Sequence, residues 1–459
     1  MTLISSISGI RGTIGGSIGT SLTPIDIVRF TSAYSIYIKE HNDGNNKVVV
    51  GRDARISGEM VSNLVVGTLL GCGIDVIDVG LTTTPTVEVS VKLCNASGGI
   101  IITASHNPIE WNALKLLNSH GEFISEKDGN KILKLATSNK IEYNLINKLG
   151  SYIYDDSFNE KHLEMILDLS LVKSDVVRSA NLKVVVDAVN STGGFMIPRL
   201  LDKMGVECVK LYCEPNGNFP HNPEPLEENL RDISELVVKE KADFGIVVDP
   251  DVDRLAIVCE DGSMFGEEYT LVTISDYILS NTPGNTVSNL SSTRALKDVT
   301  SKYNMNYFAS AVGEVNVVKK MKDNNAVIGG EGNGGIIYPE LHYGRDALVG
   351  IALFLTQIAS MDISASCLRD SYPRYFISKN KIDLQEGLNI DDIFSSLINK
   401  YKANKITTID GLKIDFENEW VHFRKSNTEP IIRIYAESIN QDAANKLANE
   451  MIREIKKLL

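Results

Sequence analysis

Four polar segments of this chain carry residue types that could bind or transfer a charged group. The first follows residues 100–102, three isoleucines that are typical of a strand covered on both faces. The next residues, Thr103 to Pro108, read TASHNP and place hydroxyls, an imidazole and an amide on a turn. A hydroxyl at the end of a buried strand is rigidly held, so Ser105 is a candidate nucleophile or phosphate carrier. Taken alone, the segment is equally compatible with an ordinary turn.

The second segment, DPDVDR, follows the apolar run Phe244 to Val248, which predicts another buried strand. Its carboxylates, Asp249, Asp251 and Asp253, would repel one another without a counterion. Hard oxygen ligands of this kind favour Mg²⁺. A calcium EF-hand loop is a poor match, because its sixth position requires glycine and Arg254 stands there. A solvated acidic turn is the alternative interpretation.

The third segment, GGEGNGGIIYP, places Glu331 and Asn333 among five glycines. A carboxylate and an amide on an open backbone suit the hydroxyl groups of a sugar. A plain glycine-rich turn explains the segment equally well when it is viewed alone.

The fourth segment, RKSNTEPIIRI, lies near the C terminus and concentrates hydrogen-bond donors beside positive charge, with Arg433 on the following predicted strand. The donors within its first five residues are Arg424, Lys425, Ser426, Asn427 and Thr428. Backbone N–H groups of such a turn can form an anion-binding nest, so the segment predicts a phosphate site, with a solvated basic turn as the alternative. Arg11, which lies among glycines near the N terminus, could also reach an anion, although a flexible turn is an equal alternative.

The elements that must position these segments follow an alternation of helix and strand patterns through most of the chain. This alternation predicts βαβ crossovers and mainly parallel sheets, with ligands bound beyond the carboxyl ends of the strands, where Ser105 is placed. Three successive α/β units of similar length suggest duplication. After Pro373 the pattern becomes strand-rich and antiparallel and closes with an amphipathic helix, Gln441 to Leu458. We predict four domains over residues 1–150, 151–258, 259–372 and 373–459, the first three α/β and the last α+β.

The composition and net charge of the chain argue against several classes of protein. The chain has 459 residues and a net charge of −13, which argues against a surface that binds nucleic acid or anionic membrane. It lacks a run of about 18 apolar residues, and its N terminus lacks the pattern of a signal peptide, so we expect no membrane span and no leader. Its six cysteines are scattered without CxxC spacing, which predicts free thiols in a reducing compartment, the cytoplasm.

Taken together, the four segments resemble those of the α-D-phosphohexomutase superfamily. TASHNP, DPDVDR, GEGNGG and RKSNTEPIIRI occur in that family's order and spacing, and the resemblance covers essentially the whole chain. The family includes phosphoglucomutases, phosphomannomutases and phosphoglucosamine mutases. The resemblance implies four domains around a central cleft and an enzyme that interconverts hexose 1-phosphate and hexose 6-phosphate through a phosphoserine and a 1,6-bisphosphate.

The resemblance also implies roles for individual residues. Ser105 would carry the phosphoryl group, and Mg²⁺ would be held by an oxygen of that phosphoserine together with Asp249, Asp251 and Asp253. The residues flanking the reacting phosphate would be Arg11, His106, Lys115 and Arg254, with Lys115 as proton shuttle. The sugar hydroxyls would contact Glu331 and Asn333. The nonreacting phosphate would contact Arg424, Ser426, Asn427, Thr428 and Arg433. Hexose 1,6-bisphosphate would act as activator and a small-molecule sugar phosphate as the partner, in a monomer or a homodimer.

One departure from the family bears on the substrate. Many relatives end the sugar loop with Ser-Gly-His, whereas this chain has Asn333 followed by two glycines, so a histidine role does not transfer. The N-terminal segment looks most like proteins labelled phosphoglucosamine mutase, with phosphoglucomutase or phosphomannomutase as the alternative. A Mg²⁺-dependent phosphatase with Asp249 as nucleophile is a second reading, although Asp253 stands where that class needs Thr or Val. A sugar-phosphate sensor without turnover is the third.

Overall fold

The computed structural model describes residues 2–6, 9–41, 45–138, 141–383, 390–425 and 431–458. Within these ranges the chain forms four units, each with its own sheet. The predicted α/β class with a C-terminal α+β unit is confirmed.

The first unit is built on a seven-stranded sheet. Its strands are β1 (Ile4–Ser6), β2 (Gly9–Thr13), β3 (Lys47–Arg52), β4 (Asp75–Leu81), β5 (Gly98–Ile102), β6 (Trp111–Leu117) and β7 (Tyr152–Tyr154). Its helices are α1 (Pro24–His41), α2 (Gly58–Gly71), α3 (Thr84–Leu93) and α4 (Glu126–Ala136). The strand order is β1-β2-β6-β5-β3-β4-β7, with β5, β3, β4 and β7 parallel and the remaining pairings antiparallel.

Two sequence expectations for this unit are corrected. The sheet is mixed and not mainly parallel, because β5 returns through a hairpin into β6. A flexible turn was one of two interpretations of the glycine-rich N-terminal segment, and it is wrong for Gly9–Thr13, which form β2 and pair with β6. Gly9 explains the difference, because its φ of +113° brings the backbone so close to Leu114 that a side chain there would collide with the Leu114 carbonyl oxygen.

The second and third units have smaller sheets. The second contains α5 (Phe158–Leu167), α6 (Ser174–Ala180), β8 (Lys183–Asp187), α7 (Gly193–Met204), β9 (Glu207–Leu211), α8 (Arg231–Glu240), β10 (Phe244–Val248) and β11 (Leu255–Cys259). The third contains α9 (Glu267–Asn281), β12 (Asn285–Asn289), α10 (Ala295–Lys302), β13 (Tyr307–Ser310), α11 (Glu314–Asp323), β14 (Ala326–Glu331), β15 (Gly335–Ile337), α12 (Ala347–Met361) and α13 (Ala365–Asp370). The sheet orders are β11-β10-β8-β9 and β13-β12-β14-β15.

The three α/β units share one strand topology. In each, one strand (β3, β8 or β12) lies between two parallel neighbours. One of those neighbours (β5, β10 or β14) then returns through a hairpin into an antiparallel partner. Those hairpins are β5–β6, β10–β11 and β14–β15. Each of the first three polar segments therefore occupies the same hairpin loop of its own unit, as duplication would produce.

The fourth unit has an antiparallel sheet. It contains β16 (Phe376–Asp383), α14 (Ile390–Lys400), β17 (Lys405–Thr407), β18 (Leu412–Asp415), β19 (Trp420–Lys425), β20 (Ile431–Ser438) and α15 (Gln441–Leu458). The strand order is β16-β20-β19-β18-β17. None of the helices in the described part of the chain combines the length and apolar character needed to cross a bilayer.

The hydrophobic cores do not follow the four units one to one. α12 is apolar on all sides and is buried over residues 347–358 between the second and third units, where it packs against α5, α6 and α9. As a result, one continuous core joins these two units, whereas the fourth unit has a core of its own.

Candidate active site

Ser105 lies in the hairpin loop between β5 and β6, with its hydroxyl directed at the second unit. Its backbone has a φ of +49°, a left-handed conformation that is uncommon for a residue with a side chain. The Ser105 N–H donates to Thr103 Oγ1 over 2.9 Å, and the Ser105 hydroxyl donates to Asp249 Oδ2 over 2.7 Å. The structure thus brings together the predicted phosphate carrier and the predicted metal loop.

Arg55 holds this loop in place from behind. Its fully buried guanidinium donates to the Asp53 carboxylate and to four carbonyl oxygens along the loop. These are the carbonyls of Ser105 at 2.5 Å, Asn107 at 2.6 Å, Pro108 at 2.7 Å and Trp111 at 2.9 Å. Because the planar guanidinium has donors in fixed directions, these bonds determine the path of the backbone that carries Ser105.

Asp249, Asp251 and Asp253 converge in the loop between β10 and β11. Each is completely buried, and one carboxylate oxygen from each lies within 4.8 Å of the others. The N–H groups of Asp253 and Arg254 both donate to Asp249 Oδ1 over 3.1 Å, which curls the loop around that carboxylate. Burial raises the pKa of Asp249 well above its usual range, and the charges of Asp253 and Asp251 raise it further.

Two cations of the protein contact the other two aspartates. Lys115 Nζ lies 2.6 Å from Asp251 Oδ2 and 3.3 Å from Asp253 Oδ2, and Arg345 Nη2 lies 2.7 Å from the same Asp253 oxygen. Burial alone would lower the pKa of Lys115, but Asp251 and Asp253 outweigh it and the pKa is raised. Burial would raise the pKa of Asp253, yet Arg345 and Lys115 lower it.

The aspartates still have unused ligand atoms. Among the described residues, Asp251 Oδ1 and Asp253 Oδ1 are buried without a hydrogen-bond partner. Buried carboxylate oxygens in that condition are costly unless a cation binds them. An all-oxygen donor set suits a hard divalent cation, so this triad can hold a metal ion.

Arg345 extends the charged network into the third unit. Its guanidinium contacts Glu314 Oε2 at 2.9 Å and Glu331 Oε2 at 3.3 Å, in addition to Asp253. Glu331 Oε1 accepts from Asn289 Nδ2 and from the N–H of Gly313. Both oxygens of Glu331, a predicted sugar contact, therefore have partners within the protein.

A cleft with a volume of about 1180 Å³ opens in front of these groups, with walls from all four units. The predicted site residues that line it are Arg11, Ser105, His106, Lys115, Arg254, Glu331, Asn333, Arg424 and Arg433. Burial and the nearby Arg254 charge lower the pKa of Arg11 and hold the pKa of His106 well below its usual value. Positive charges that lie close together repel one another, and an anion bound between them relieves that repulsion. This end of the cleft is therefore suited to bind an anion.

The opposite end of the cleft is formed by the fourth unit. Arg424 on β19 and Arg433 on β20 are paired across neighbouring strands, and both line the cleft. The Arg424 guanidinium also contacts Asp410, 2.9 Å away. Ser426, Asn427 and Thr428, the other predicted phosphate contacts, lie outside the described residues.

The arrangement has the parts that phosphoryl transfer needs. A hydroxyl touches a carboxylate cluster suited to a divalent cation, and arginines at both ends of the cleft can neutralise phosphate oxygens. Because little covalent chemistry is required of the protein in such reactions, positioning and charge supply most of the effect.

Sequence reasoning missed three charged residues of this network, Arg55, Glu314 and Arg345. Arg55 lies three residues after the end of β3, and Arg345 lies two residues before the apolar run of α12. Polar or charged residues that follow a buried strand were the signal that located Ser105 and Asp249, and the same signal would have identified Arg55. Glu314 begins α11 and gives no comparable signal.

Comparison with known protein families matches four successive segments that together cover most of the chain. Residues 4–142, 160–262 and 266–375 match the phosphoglucomutase/phosphomannomutase alpha/beta/alpha domains I, II and III, respectively. Residues 383–454 match the phosphoglucomutase/phosphomannomutase C-terminal domain.

Individual relatives agree with this. A phosphoglucomutase/phosphomannomutase of Thermococcus kodakarensis is 33% identical over 95% of this chain and 96% of its own. A phosphoglucosamine/phosphogalactosamine mutase of Sulfurisphaera tokodaii is 32% identical over 95% of this chain and 96% of its own. The crystal structure of a phosphoglucomutase/phosphomannomutase family protein from Burkholderia thailandensis superposes with a TM-score of 0.84 at 26% identity, covering 100% of this chain and 98% of that one.

Proposed function

Because the chain belongs to the phosphoglucomutase/phosphomannomutase family, we propose that it interconverts hexose 1-phosphate and hexose 6-phosphate with Ser105 as the phosphoryl carrier. The observation that carries the proposal is the 2.7 Å contact between Ser105 Oγ and Asp249 Oδ2 at the wall of the cleft. A serine carrier needs its oxygen beside a cation site and facing substrate, and this contact supplies both conditions.

Mg²⁺ is the metal ion that the donor set of the triad fits. Asp249, Asp251 and Asp253 would hold it together with an oxygen of phosphorylated Ser105, since hard carboxylate oxygens are the ligands that Mg²⁺ prefers. When bound, the ion would neutralise charge on the phosphoryl oxygens during transfer. The buried, unpartnered oxygens of Asp251 and Asp253 support this assignment.

The protein's own cations and hydrogen-bond donors would bind the transferring phosphoryl group at the Ser105 end of the cleft. Arg11, His106 and Arg254 line the cleft beside Ser105 and would bind the oxygens of the transferring phosphoryl group. Lys115 is cationic while Asp251 and Asp253 raise its pKa, so it accepts a proton from the attacking sugar hydroxyl only when those carboxylates are engaged elsewhere. We assign Lys115 the proton transfer because it lines the cleft together with Ser105.

The far end of the cleft would hold the phosphate that is not reacting. Arg424 and Arg433, with the donors of Ser426, Asn427 and Thr428, form the proposed clamp, while Asn333 and Glu331 contact the sugar hydroxyls. Transfer from Ser105 produces a hexose 1,6-bisphosphate, which turns around so that its other phosphate returns to the serine. The same bisphosphate, added to dephosphorylated enzyme, serves as activator.

Glucosamine phosphate is the substrate we propose, with glucose and mannose phosphates as alternatives. The Sulfurisphaera tokodaii relative is named for glucosamine and galactosamine phosphates, and the Thermococcus kodakarensis relative for glucose and mannose phosphates.

The proposed location is the cytoplasm, consistent with six free cysteines. The proposed domain limits remain 1–150, 151–258, 259–372 and 373–459.

The experiment measures whether Ser105 becomes phosphorylated and whether mutase activity depends on it. Incubation with glucose 1,6-bisphosphate should add one acid-stable phosphate, mapped by mass spectrometry to Ser105, and kcat/KM should be compared for the 1-phosphates of glucosamine, glucose and mannose. Ser105→Ala should lose both phosphorylation and mutase activity. The control Ser301→Ala, on the exposed side of α10, should retain both. Mutase activity in Ser105→Ala, or an acid-labile phosphate on Asp249, would overturn the proposal.

A further inference from the structure

A second cluster of potential metal ligands lies outside the cleft, in the interior between the three α/β units. It consists of His162 from α5 together with His342 and Asp346, which precede α12. Asp346 Oδ2 lies 3.0 Å from His162 Nε2 and 3.3 Å from His342 Nε2, and all three side chains are at most 4% exposed. Two imidazole nitrogens and one carboxylate oxygen thus converge on one buried point.

The other nitrogen of each imidazole has its own neighbour. His162 Nδ1 lies 2.9 Å from Thr86 Oγ1, and His342 Nδ1 lies 3.3 Å from Glu88 Oε2, both residues being on α3. Histidines that bind metals through one nitrogen nearly always direct the other N–H to a hydroxyl, carbonyl or carboxylate. The His162 ring is oriented in that way, whereas His342 Nδ1 faces the Glu88 carboxylate without forming a hydrogen bond to it. In both rings Nε2 faces Asp346.

The ligating oxygen of Asp346 is fixed as well. Asp346 Oδ1 accepts from the N–H groups of Leu348 and Val349 and so caps the N terminus of α12. That leaves Oδ2 facing the two imidazoles, at a position set by the helix.

The spacing of these atoms fits a small tetrahedral ion. Zinc binds nitrogen and oxygen at about 2.0–2.2 Å, which places neighbouring tetrahedral ligands about 3.3–3.5 Å apart. The separations of Asp346 Oδ2 from the two Nε2 atoms, 3.0 and 3.3 Å, are at or slightly below that value. The three ligand atoms also all lie within 4.8 Å of one another. Imidazole with carboxylate is a donor set that suits zinc better than the harder Mg²⁺.

The charge of the cluster also favours a bound divalent ion. Glu88 is 1% exposed, and neither of its carboxylate oxygens has a hydrogen-bond partner among the described residues. A divalent ion would balance the two carboxylates of Glu88 and Asp346 while both imidazoles remain neutral. Without an ion, the same neutrality in a dry interior requires two additional protons.

We propose that His162, His342 and Asp346 bind a structural zinc-class divalent ion, with Thr86 and Glu88 orienting the imidazoles. The ligands come from the second and third units and their orienting residues from the first, so the ion joins all three. It also fixes Asp346 next to Arg345, whose guanidinium contacts Asp253 in the active-site loop. The proposal does not depend on which sugar phosphate the enzyme uses.

The experiment measures metal content directly. The full-length chain is purified with a tag that lacks histidine and without chelator, and its metals are quantified in excess Mg²⁺, which occupies the carboxylate triad in place of transition metals. We expect about one zinc ion per chain. After removal of the metal, titration with Co²⁺ in the same excess of Mg²⁺ should give the visible absorption of a four-coordinate site with saturation near one ion.

Matched variants locate the ion. His342→Gln and His162→Gln should lose the zinc and the cobalt absorption, while His120→Gln, an exposed histidine on the first unit, should retain both. A wild-type protein that neither contains zinc nor develops the cobalt spectrum would overturn the proposal, even where the variants fail to fold. Undiminished binding in a folded His342→Gln protein would overturn it equally, and the cluster would then be a proton-bearing ion-pair network.

Discussion

At the scale of single residues, Arg345 joins the second and third units through contacts with three carboxylates. One guanidinium contacts Asp253 of the second unit and Glu314 and Glu331 of the third, so it sets the charge balance of two walls of the cleft. The three carboxylates together raise its pKa well above normal, although burial acts in the opposite direction. Their attraction makes Arg345 a fixed cation at every relevant pH.

Replacing Arg345 with lysine tests this role. Lysine keeps the charge, but an ammonium group cannot reach three carboxylates in the directions that a planar guanidinium does. We expect kcat/KM to fall about 10- to 100-fold with little loss of folded protein, because the change misplaces Asp253 and Glu331 but keeps one positive charge among the three carboxylates. Steady-state kinetics and circular dichroism measure the two effects.

The control is Arg374→Lys, since Arg374 forms an exposed ion pair with Asp370 away from the cleft. That variant should match the wild type in kcat/KM. An equal decrease of kcat/KM in both variants, or no decrease in Arg345→Lys, would show that the contact of Arg345 with three carboxylates does not contribute to catalysis.

At the level of secondary structure, the hairpin that recurs in each α/β unit explains what the sequence could predict. Apolar runs that end abruptly in polar residues located the loops of Ser105 and Asp249, and glycines located that of Glu331. Local patterns were sufficient there, because each loop directly continues the strand that positions it.

The residues that sequence reasoning missed are those whose partners are distant along the chain. Arg55 binds a loop 50 to 56 residues later, and Arg345 binds Asp253, 92 residues earlier. No periodicity connects such positions, and only the folded chain brings them together. The pairing of β2 with β6 was missed for a related reason, since it joins residues about 100 apart.

Strand β19 carries a pH-sensitive contact between the fourth and third units. His422 lies 2.9 Å from Ser291 Oγ through Nδ1 and 2.6 Å from the Asp410 carbonyl through Nε2. Burial lowers the pKa of His422 to about 4. In the unfolded chain the histidine pKa is near 6.5, so as the pH falls the unfolded chain binds a proton before the folded chain does. The contribution of this histidine to the free energy of unfolding is therefore complete above about pH 6.5 and decreases as the pH falls toward 4.

We expect the fourth unit to lose about 3 kcal/mol of stability between pH 6.5 and pH 4 through this histidine. Hydrogen exchange of β19 and β20 at several pH values measures the change. In His422→Gln, which keeps polar atoms but does not titrate, that part of the pH dependence should disappear, whereas exposed His120→Gln should leave it intact. An unchanged pH dependence in His422→Gln would assign the effect to other groups.

At the scale of the whole molecule, the arrangement of cores divides the chain differently from its four sheets. α12 completes a single core for the second and third units, so their relative position is fixed by the same contacts that fold them. The fourth unit, with its own core, approaches the third mainly through polar contacts such as that of Lys413 with the Leu290 carbonyl. The clamp of Arg424 and Arg433 is therefore carried by the most independent part of the molecule.

This division predicts which parts unfold together. Leu353→Ala, in the buried face of α12, should lower the opening free energy of both β10 and β14 by about 2–5 kcal/mol, because a cavity there weakens the core shared by two units. Phe423→Ala should lower that of β19 and β20 by about 3–5 kcal/mol and leave β10 and β14 unchanged. Hydrogen exchange in increasing urea, read by mass spectrometry, reports each strand separately. If Leu353→Ala weakened β14 while β10 kept its protection, the second and third units would be separate folding units despite their common core.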